Sequence, residues 1–206
     1  MIFFDLDGTL YRTHETCLPT LYELCAELGI LLTQDDEAFL LHTTADALLQ
    51  RVAPDLADEK REWFKHELKW REIAEVKKRG RLFDGAKDLL NSLRSEGVSI
   101  AICGMGGKEY IAAVLERCEI AEYFVAVLHR VEGKTKAEVL SDYIREKNIS
   151  VAECVMIGDS VTDFTAAKFT GMPFIGVRHG YGAKAIEEEA LMAEDLRAVK
   201  VLLRQL

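Results

Sequence analysis

Apolar positions along the chain follow two regimes. From residue 81 onward, short continuous apolar runs alternate with stretches where apolar residues recur every three to four positions. Val98 to Cys103, Tyr123 to Leu128, Cys154 to Ile157 and Phe174 to Val177 are too short for helices and predict buried strands, and Ile2 to Phe4 makes a fifth. Between them, Asp84-Gly85 opens a helix with Leu89, Leu90 and Leu93 on one face, closed by Gly97. Gly104 to Gly107 reads as a turn, followed by Tyr110, Ile111, Val114 and Leu115 at helical spacing. Thr135 to Lys147 carries the stripe Val139, Leu140, Tyr143 and Ile144, and a further helix runs from Phe164 to Phe169 and stops at Gly171. Strands alternating with helices predict an α/β fold with an open parallel, Rossmann-like sheet and helices on both faces.

Residues 13–80 lack any strand pattern. Leu18, Leu21, Leu24, Cys25 and Leu28 repeat at helical spacing. A second helix holds Phe39, Leu40, Leu41, Leu48 and Leu49, and a third spans Asp58 to Arg79, with Pro54 separating them. The expected organisation is a core of residues 1–12 and 81–206, interrupted by an all-helical cap over residues 13–80.

Composition changes this picture little. At 49% hydrophobic and 30% charged, the 206 residues form an ordinary globular sequence. A net charge of −9 without a basic run predicts neither a nucleic-acid nor a membrane-surface partner. No apolar run reaches membrane-spanning length. Met1 passes straight into Ile2-Phe3-Phe4 without a basic region, so no secretory leader is expected. Five cysteines without a C-x-x-C pair suggest free thiols and a cytoplasmic location.

The chemistry lies after the strands. Parallel sheets bind ligands outside the carboxyl ends of their strands. Asp5-Leu6-Asp7-Gly8-Thr9 follows the first strand, and Cys103-Gly104-Met105 ends the second. Gly133-Lys134-Thr135-Lys136 comes after the third, and Gly158-Asp159-Ser160, with Asp163 one turn on, ends the fourth. Clustered carboxylates repel unless a cation holds them, and an all-oxygen set without His or Cys suits Mg²⁺. A hard cation, a lysine and exposed amides together suit a phosphoryl group.

Asp5-Leu6-Asp7-Gly8-Thr9-Leu10, Lys134 and Gly158-Asp159-Ser160-Val161-Thr162-Asp163 resemble, in order and spacing, the motifs of the haloacid dehalogenase-like superfamily. Gly176-Val177-Arg178-His179-Gly180-Tyr181-Gly182 and the inserted cap are similar to its phosphoglycolate phosphatase-like branch. The resemblance implies that Asp5 is a nucleophile forming an aspartyl-phosphate, and that Asp7 is the acid and base. It implies Mg²⁺ on Asp5, Asp159 and the Asp7 carbonyl, with Asp163 behind them. Lys134 would offset phosphoryl charge, and Gly8 and Thr9 would lie near the phosphate. Asp7 favours phosphoryl transfer over carbon–halogen cleavage. The implied function is Mg²⁺-dependent hydrolysis of a small phosphorylated metabolite by a monomer or homodimer. A sugar phosphomutase and a non-catalytic phosphate-ester-binding protein are the alternatives.

Two positions depart from that pattern. Cys103 stands where the family carries Thr or Ser, so either the Gly104 and Met105 amides take over the phosphate contact or activity is reduced. Lys136 competes with Lys134, and the gap from Lys134 to Gly158 favours Lys134. Other residues have simpler readings. Arg12, His14 and Lys60, Lys65 and Lys69 read as linker or solvated surface, and Trp63 and Trp70 as cap packing. His179 and Tyr181 read equally as turn packing or ligand contact. Gly133-Lys134-Thr135 ends like a P-loop, but Leu128 replaces its earlier glycine.

Overall fold

The computed structural model describes residues 1–41 and 43–206. The chain runs β1 (Ile2–Phe4), α1 (His14–Glu27), α2 (Gln34–Leu40), α3 (Ala45–Val52), α4 (Asp58–Arg79), α5 (Ala86–Ser95), β2 (Ile100–Cys103) and α6 (Lys108–Arg117). It continues with β3 (Phe124–Leu128), α7 (Lys136–Glu146), β4 (Val155–Gly158), α8 (Val161–Thr170), β5 (Phe174–Val177), β6 (Leu191–Ala193) and α9 (Leu196–Leu203).

The sheet is parallel throughout, in the order β3-β2-β1-β4-β5-β6. The chain builds outward from β1 on one side, then returns to build on the other. The strand order therefore reverses beside β1, where open α/β sheets form their ligand crevice. Phe4 pairs with Ile102 on one side and Ile157 on the other, so β1, β2 and β4 end level. That register brings Asp5, Cys103 and Asp159 to one edge.

Side chains alternate across each strand and divide the core in two. Ile2, Phe4, Ile100 and Ile102 pack with Leu90 of α5, Ile111 of α6 and Val199 of α9. Phe3, Ala101, Cys103 and Met156 pack with Leu140 of α7 and Ala166 of α8. The helical segment has its own apolar cluster, with Leu21, Leu24, Leu48, Leu49 and Phe64 fully buried. Lower on α4, Ile73 and Val76 leave that cluster and pack with Leu10, Tyr11 and Tyr110 of the α/β layer. No described helix is long and apolar enough to cross a membrane.

Three local features differ from the expectation. β3 forms the sheet edge and alternates between half-buried and exposed positions, with Val125 and Val127 facing solvent. The predicted second helix is two, α2 and α3, capped separately by the Thr33 and Thr44 side chains. β6 and α9 follow β5 in a stretch without a strong pattern. α9 starts where the Asp195 carboxylate accepts the Arg197 and Ala198 amides.

Candidate active site

The β1 ladder fixes the first carboxylate. The Asp5 amide donates to the Ile157 carbonyl at 2.8 Å, which continues the pairing with β4 by one residue. The chain then turns sharply. The Leu10 and Tyr11 amides converge on the Leu6 carbonyl, and the Gly8 amide donates to Tyr11 at 3.0 Å. Gly8 has φ +82°, and a Cβ there would stand 2.6 Å from Asp159 Oδ2 and 2.9 Å from the Tyr181 ring. Glycine thus supplies both the left-handed backbone and the space for Asp159.

The end of β4 is equally tight. Asp163 is fully buried in the first turn of α8, and a Cβ on Gly158 would meet its side chain at 2.5 Å. Asp163 Oδ2 accepts the Asp159 amide (3.2 Å), the Ser160 amide (3.0 Å) and the Ser160 hydroxyl (2.6 Å). Its other oxygen accepts from Lys136 Nζ. Both Asp163 oxygens are thus engaged, and the side chain ties Asp159, Ser160 and Lys136 together.

The lysine that meets Asp5 is Lys136, where Lys134 is the expectation. Lys136 is the first residue of α7, and its buried Nζ donates to Asp5 Oδ1 at 2.6 Å as well as to Asp163. Lys134 is exposed and pairs with Asp142 at 2.6 Å. The physical reason is the helix cap. Thr135 accepts the Glu138 amide, and Glu138 accepts the Thr135 amide at 2.7 Å. This reciprocal pair begins the helix at Lys136. The residue before the cap lies on the outer loop, and the residue after it turns toward the sheet edge.

Burial and charge oppose each other here. Burial pushes the Asp5 carboxyl well above the usual carboxylate range, and Lys136 pulls it back. Burial alone would depress the Lys136 ammonium, but Asp163 and Asp5 hold it above the usual lysine value. Asp159 is pushed up to about 7 by burial and then by Asp163. Asp7 is raised by burial and partly restored by two donors, Thr13 Oγ1 and Tyr110 OH, each 2.6 Å from its Oδ1. Its Oδ2 carries no protein hydrogen bond among the described residues. Asp5 and Asp7 therefore sit two residues apart with different partners, one on an ammonium and one on two hydroxyls.

A divalent cation fits the donor set. Asp5, Asp159 and Asp163 each offer a carboxylate oxygen, all within 4.8 Å of one another. The Thr9 hydroxyl lies 3.2 Å from Asp5 Oδ2 and 3.4 Å from Asp159 Oδ1, so those two oxygens face a common space. One lysine offsets only part of the charge of four nearby aspartates.

The phosphate-binding expectations divide. Cys103 is buried at the end of β2, and burial pushes its thiol up to about 12, so it is a neutral thiol. The Gly104 amide donates to the Leu128 carbonyl at 3.0 Å and is not available to a phosphate, which corrects the expectation for Gly104. The Gly8 amide is likewise taken by Tyr11. Met105 is half-buried, and its amide has no partner among the described residues. The Leu6 and Asp7 amides, which the motif reading did not single out, also have none.

Surrounding residues mostly brace the site. His179 meets the Thr9 carbonyl at 3.0 Å and packs on Phe83, and burial lowers its pKa, so the neutral ring donates from Nε2. The Tyr181 hydroxyl meets His14 at both its amide (3.1 Å) and its Nδ1 (2.7 Å). Arg12 lies over Phe83 and bonds the Leu82 carbonyl and Asp84. Trp63 packs in the helical cluster, whereas Trp70 is exposed. Glu72 escaped the sequence reading, although a signal was there. It interrupts the i, i+4 series Phe64, Leu68, Val76, each of which is buried.

Known proteins resemble this chain in sequence and in fold. The chain is 28% identical over 189 residues to a phosphoglycolate phosphatase of Agrobacterium fabrum, covering 88% of this chain and 81% of that protein. It is 28% identical over 192 residues to a 5'-nucleotidase of Pseudomonas aeruginosa, covering 89% and 84%. The fold superposes with a TM-score of 0.88 on a crystal structure of a predicted phosphoglycolate phosphatase from Haemophilus somnus, at 17% identity over 98% of this chain and 97% of that one. The family model described as haloacid dehalogenase-like hydrolase matches residues 2–177, which take in β1 through β5 and every carboxylate of the site, and the chain belongs to that family.

Proposed function

We propose that this protein is a Mg²⁺-dependent phosphatase that hydrolyses a small phosphomonoester through an aspartyl-phosphate on Asp5. The observation that carries this reading is the contrast between Asp5 and Asp7. Asp5 is held by Lys136 and opens toward Asp159. Asp7 is held from one side by Thr13 and Tyr110, with its second oxygen left for exchange. Paired carboxylates in different environments divide the nucleophile and acid/base roles.

In the first step an Asp5 oxygen attacks phosphorus, and the bond to the leaving oxygen breaks. Asp7 gives its proton to that oxygen. In the second step Asp7 takes a proton from water, the water oxygen attacks phosphorus, and the Asp5–phosphorus bond breaks to release phosphate. Lys136 would offset negative charge between Asp5 and the phosphoryl group, and the Leu6, Asp7 and Met105 amides, unpaired among the described residues, would donate to it. Asp5, Asp159 and the Asp7 carbonyl would hold Mg²⁺, which when bound offsets the charge of the carboxylates and the phosphoryl oxygens. Residues 13–80 act as a cap that limits water and shapes the leaving-group compartment. The free thiols suit a reducing cytoplasm.

The test is phosphate release from p-nitrophenyl phosphate by the wild type and Asp5→Asn, with Mg²⁺ and with excess chelator. Release that requires Mg²⁺ and falls at least ~10³-fold in the variant is expected. Undiminished turnover by folded Asp5→Asn would overturn the mechanism.

A further inference from the structure

The leaving-group side of the site contains a carboxylate that hydrolysis does not use. Glu72 is half-buried on α4, beside the Cys17 thiol of α1 and within electrostatic reach of Asp7, Tyr11 and Tyr110. Together with Tyr181, whose ring packs over Gly8, these side chains surround Asp7. They offer phenols, a thiol and carboxylates, but no cation.

The nearby cations are committed elsewhere. Arg71, next in sequence, pairs with Glu27 and Glu67. Lys69 pairs with Glu109, and Arg12 with Glu15 and Asp84. Lys136 is occupied by Asp5 and Asp163 on the phosphoryl side. Glu72 makes no ion pair among the described residues. A leaving alcohol that carried a carboxylate would enter a compartment of phenols, a thiol and carboxyl groups and find no cation to neutralise it.

We propose that Glu72 is a specificity-determining residue that favours phosphate esters of alcohols bearing hydroxyl or ammonium groups and rejects those bearing a carboxylate. The inference rests on the phosphatase reading and deepens it. It also separates this chain from the relatives named for phosphoglycolate, whose leaving group carries a carboxylate. Supporting chemistry comes from burial, which pushes the Glu72 carboxyl up to about 8. Near neutrality the group can both donate and accept, which a hydroxyl matches. An ammonium would draw the proton off and pair with the carboxylate.

The experiment compares three small esters, glycerol 3-phosphate, phosphoethanolamine and 2-phosphoglycolate, with p-nitrophenyl phosphate as control. Wild type, Glu72→Gln and Glu72→Lys are assayed for kcat/KM with Mg²⁺. Ratios between esters are read, so a general loss of folded enzyme cancels. In the wild type, 2-phosphoglycolate is expected to be at least about tenfold poorer than either other ester. Glu72→Gln should lower phosphoethanolamine about tenfold relative to glycerol 3-phosphate. Glu72→Lys should shift the ratio toward 2-phosphoglycolate by about tenfold or more. A wild-type preference for 2-phosphoglycolate, or variants that alter all three esters equally, would overturn the role of Glu72 while leaving the phosphatase reading intact. Failure to hydrolyse all four esters would overturn both.

Discussion

Replacing Lys136 by methionine would keep much of its buried stem but leave Asp5 and Asp163 without their shared ammonium. Breaking a buried ion pair from one side costs about 3–5 kcal/mol, because the abandoned charge stays desolvated. Lys136→Met should therefore lower stability by that amount in urea denaturation and reduce kcat at least ~10²-fold. Lys134→Ala, at an exposed pair with Asp142, should change stability by no more than about 0.5 kcal/mol and leave kcat near wild type. The reverse outcome would return the active-site role to Lys134. Spacing alone could not separate two lysines two residues apart; the separation is made by the Thr135 cap, a reciprocal contact with Glu138. Cys103 supports a second residue-scale prediction. Its neutral thiol is a poor donor, and serine offers a stronger one in a similar volume. Cys103→Ser should cost about 1 kcal/mol of stability and keep or raise kcat/KM, by up to about tenfold. A steep fall in a folded variant would show that the thiol itself is required.

The elements that carry the site are short, so their termini matter more than their lengths. α7 begins at a capping box, and its first residue is the lysine that spans Asp5 and Asp163. Thr135→Ala removes the acceptor for the Glu138 amide, at a cost of about 1 kcal/mol. The displaced first turn should move Lys136 with it, so kcat should fall severalfold while KM changes little. The check is the split between kcat and KM, with thermal denaturation as the measure of the cap. A loss confined to stability would show that packing alone positions Lys136. Element type was largely legible in the sequence. The four-residue interior strands are continuous apolar runs because both faces are covered, and α4 has the predicted bounds. The continuous apolar residues of β3 predict burial, yet an edge strand has one side unpaired. The boundary between α2 and α3 lies in threonine caps rather than in a break of the apolar pattern. β6 has only three residues, too few for a period to show.

At the scale of the molecule, the sheet order joins residues that sequence keeps far apart. Asp5 and Asp159 meet because β1 and β4 are neighbours with level ends, and Lys136 and Asp163 come from the two helices packed on one face. The motifs were legible because each carboxylate follows an apolar strand. Glu72 was not, because its meaning depends on how α4 crosses to the α/β layer at Ile73 and Val76. The same convergence leaves the metal-free molecule with four aspartates around one lysine, a local excess of negative charge. Binding to the folded state alone stabilises by about 2.7 kcal/mol at a ligand concentration 100-fold above Kd. For a domain of this size, about 2–4 °C per kcal/mol applies, so saturating Mg²⁺ should raise Tm by roughly 5–10 °C. Asp159→Asn removes one buried charge that Asp163 repels; its one oxygen can accept from the Gly182 amide in place of Oδ2, and its NH2 can donate to the Thr9 hydroxyl in place of Oδ1. Without Mg²⁺ the variant should melt no lower than the wild type, and with Mg²⁺ its Tm should rise by less than about 2 °C. Thermal denaturation of both proteins over a Mg²⁺ series measures this directly. A full Mg²⁺ response in Asp159→Asn would mean that the cation is held elsewhere, whereas a destabilised metal-free variant would mean that the Asp159 charge is already compensated within the protein.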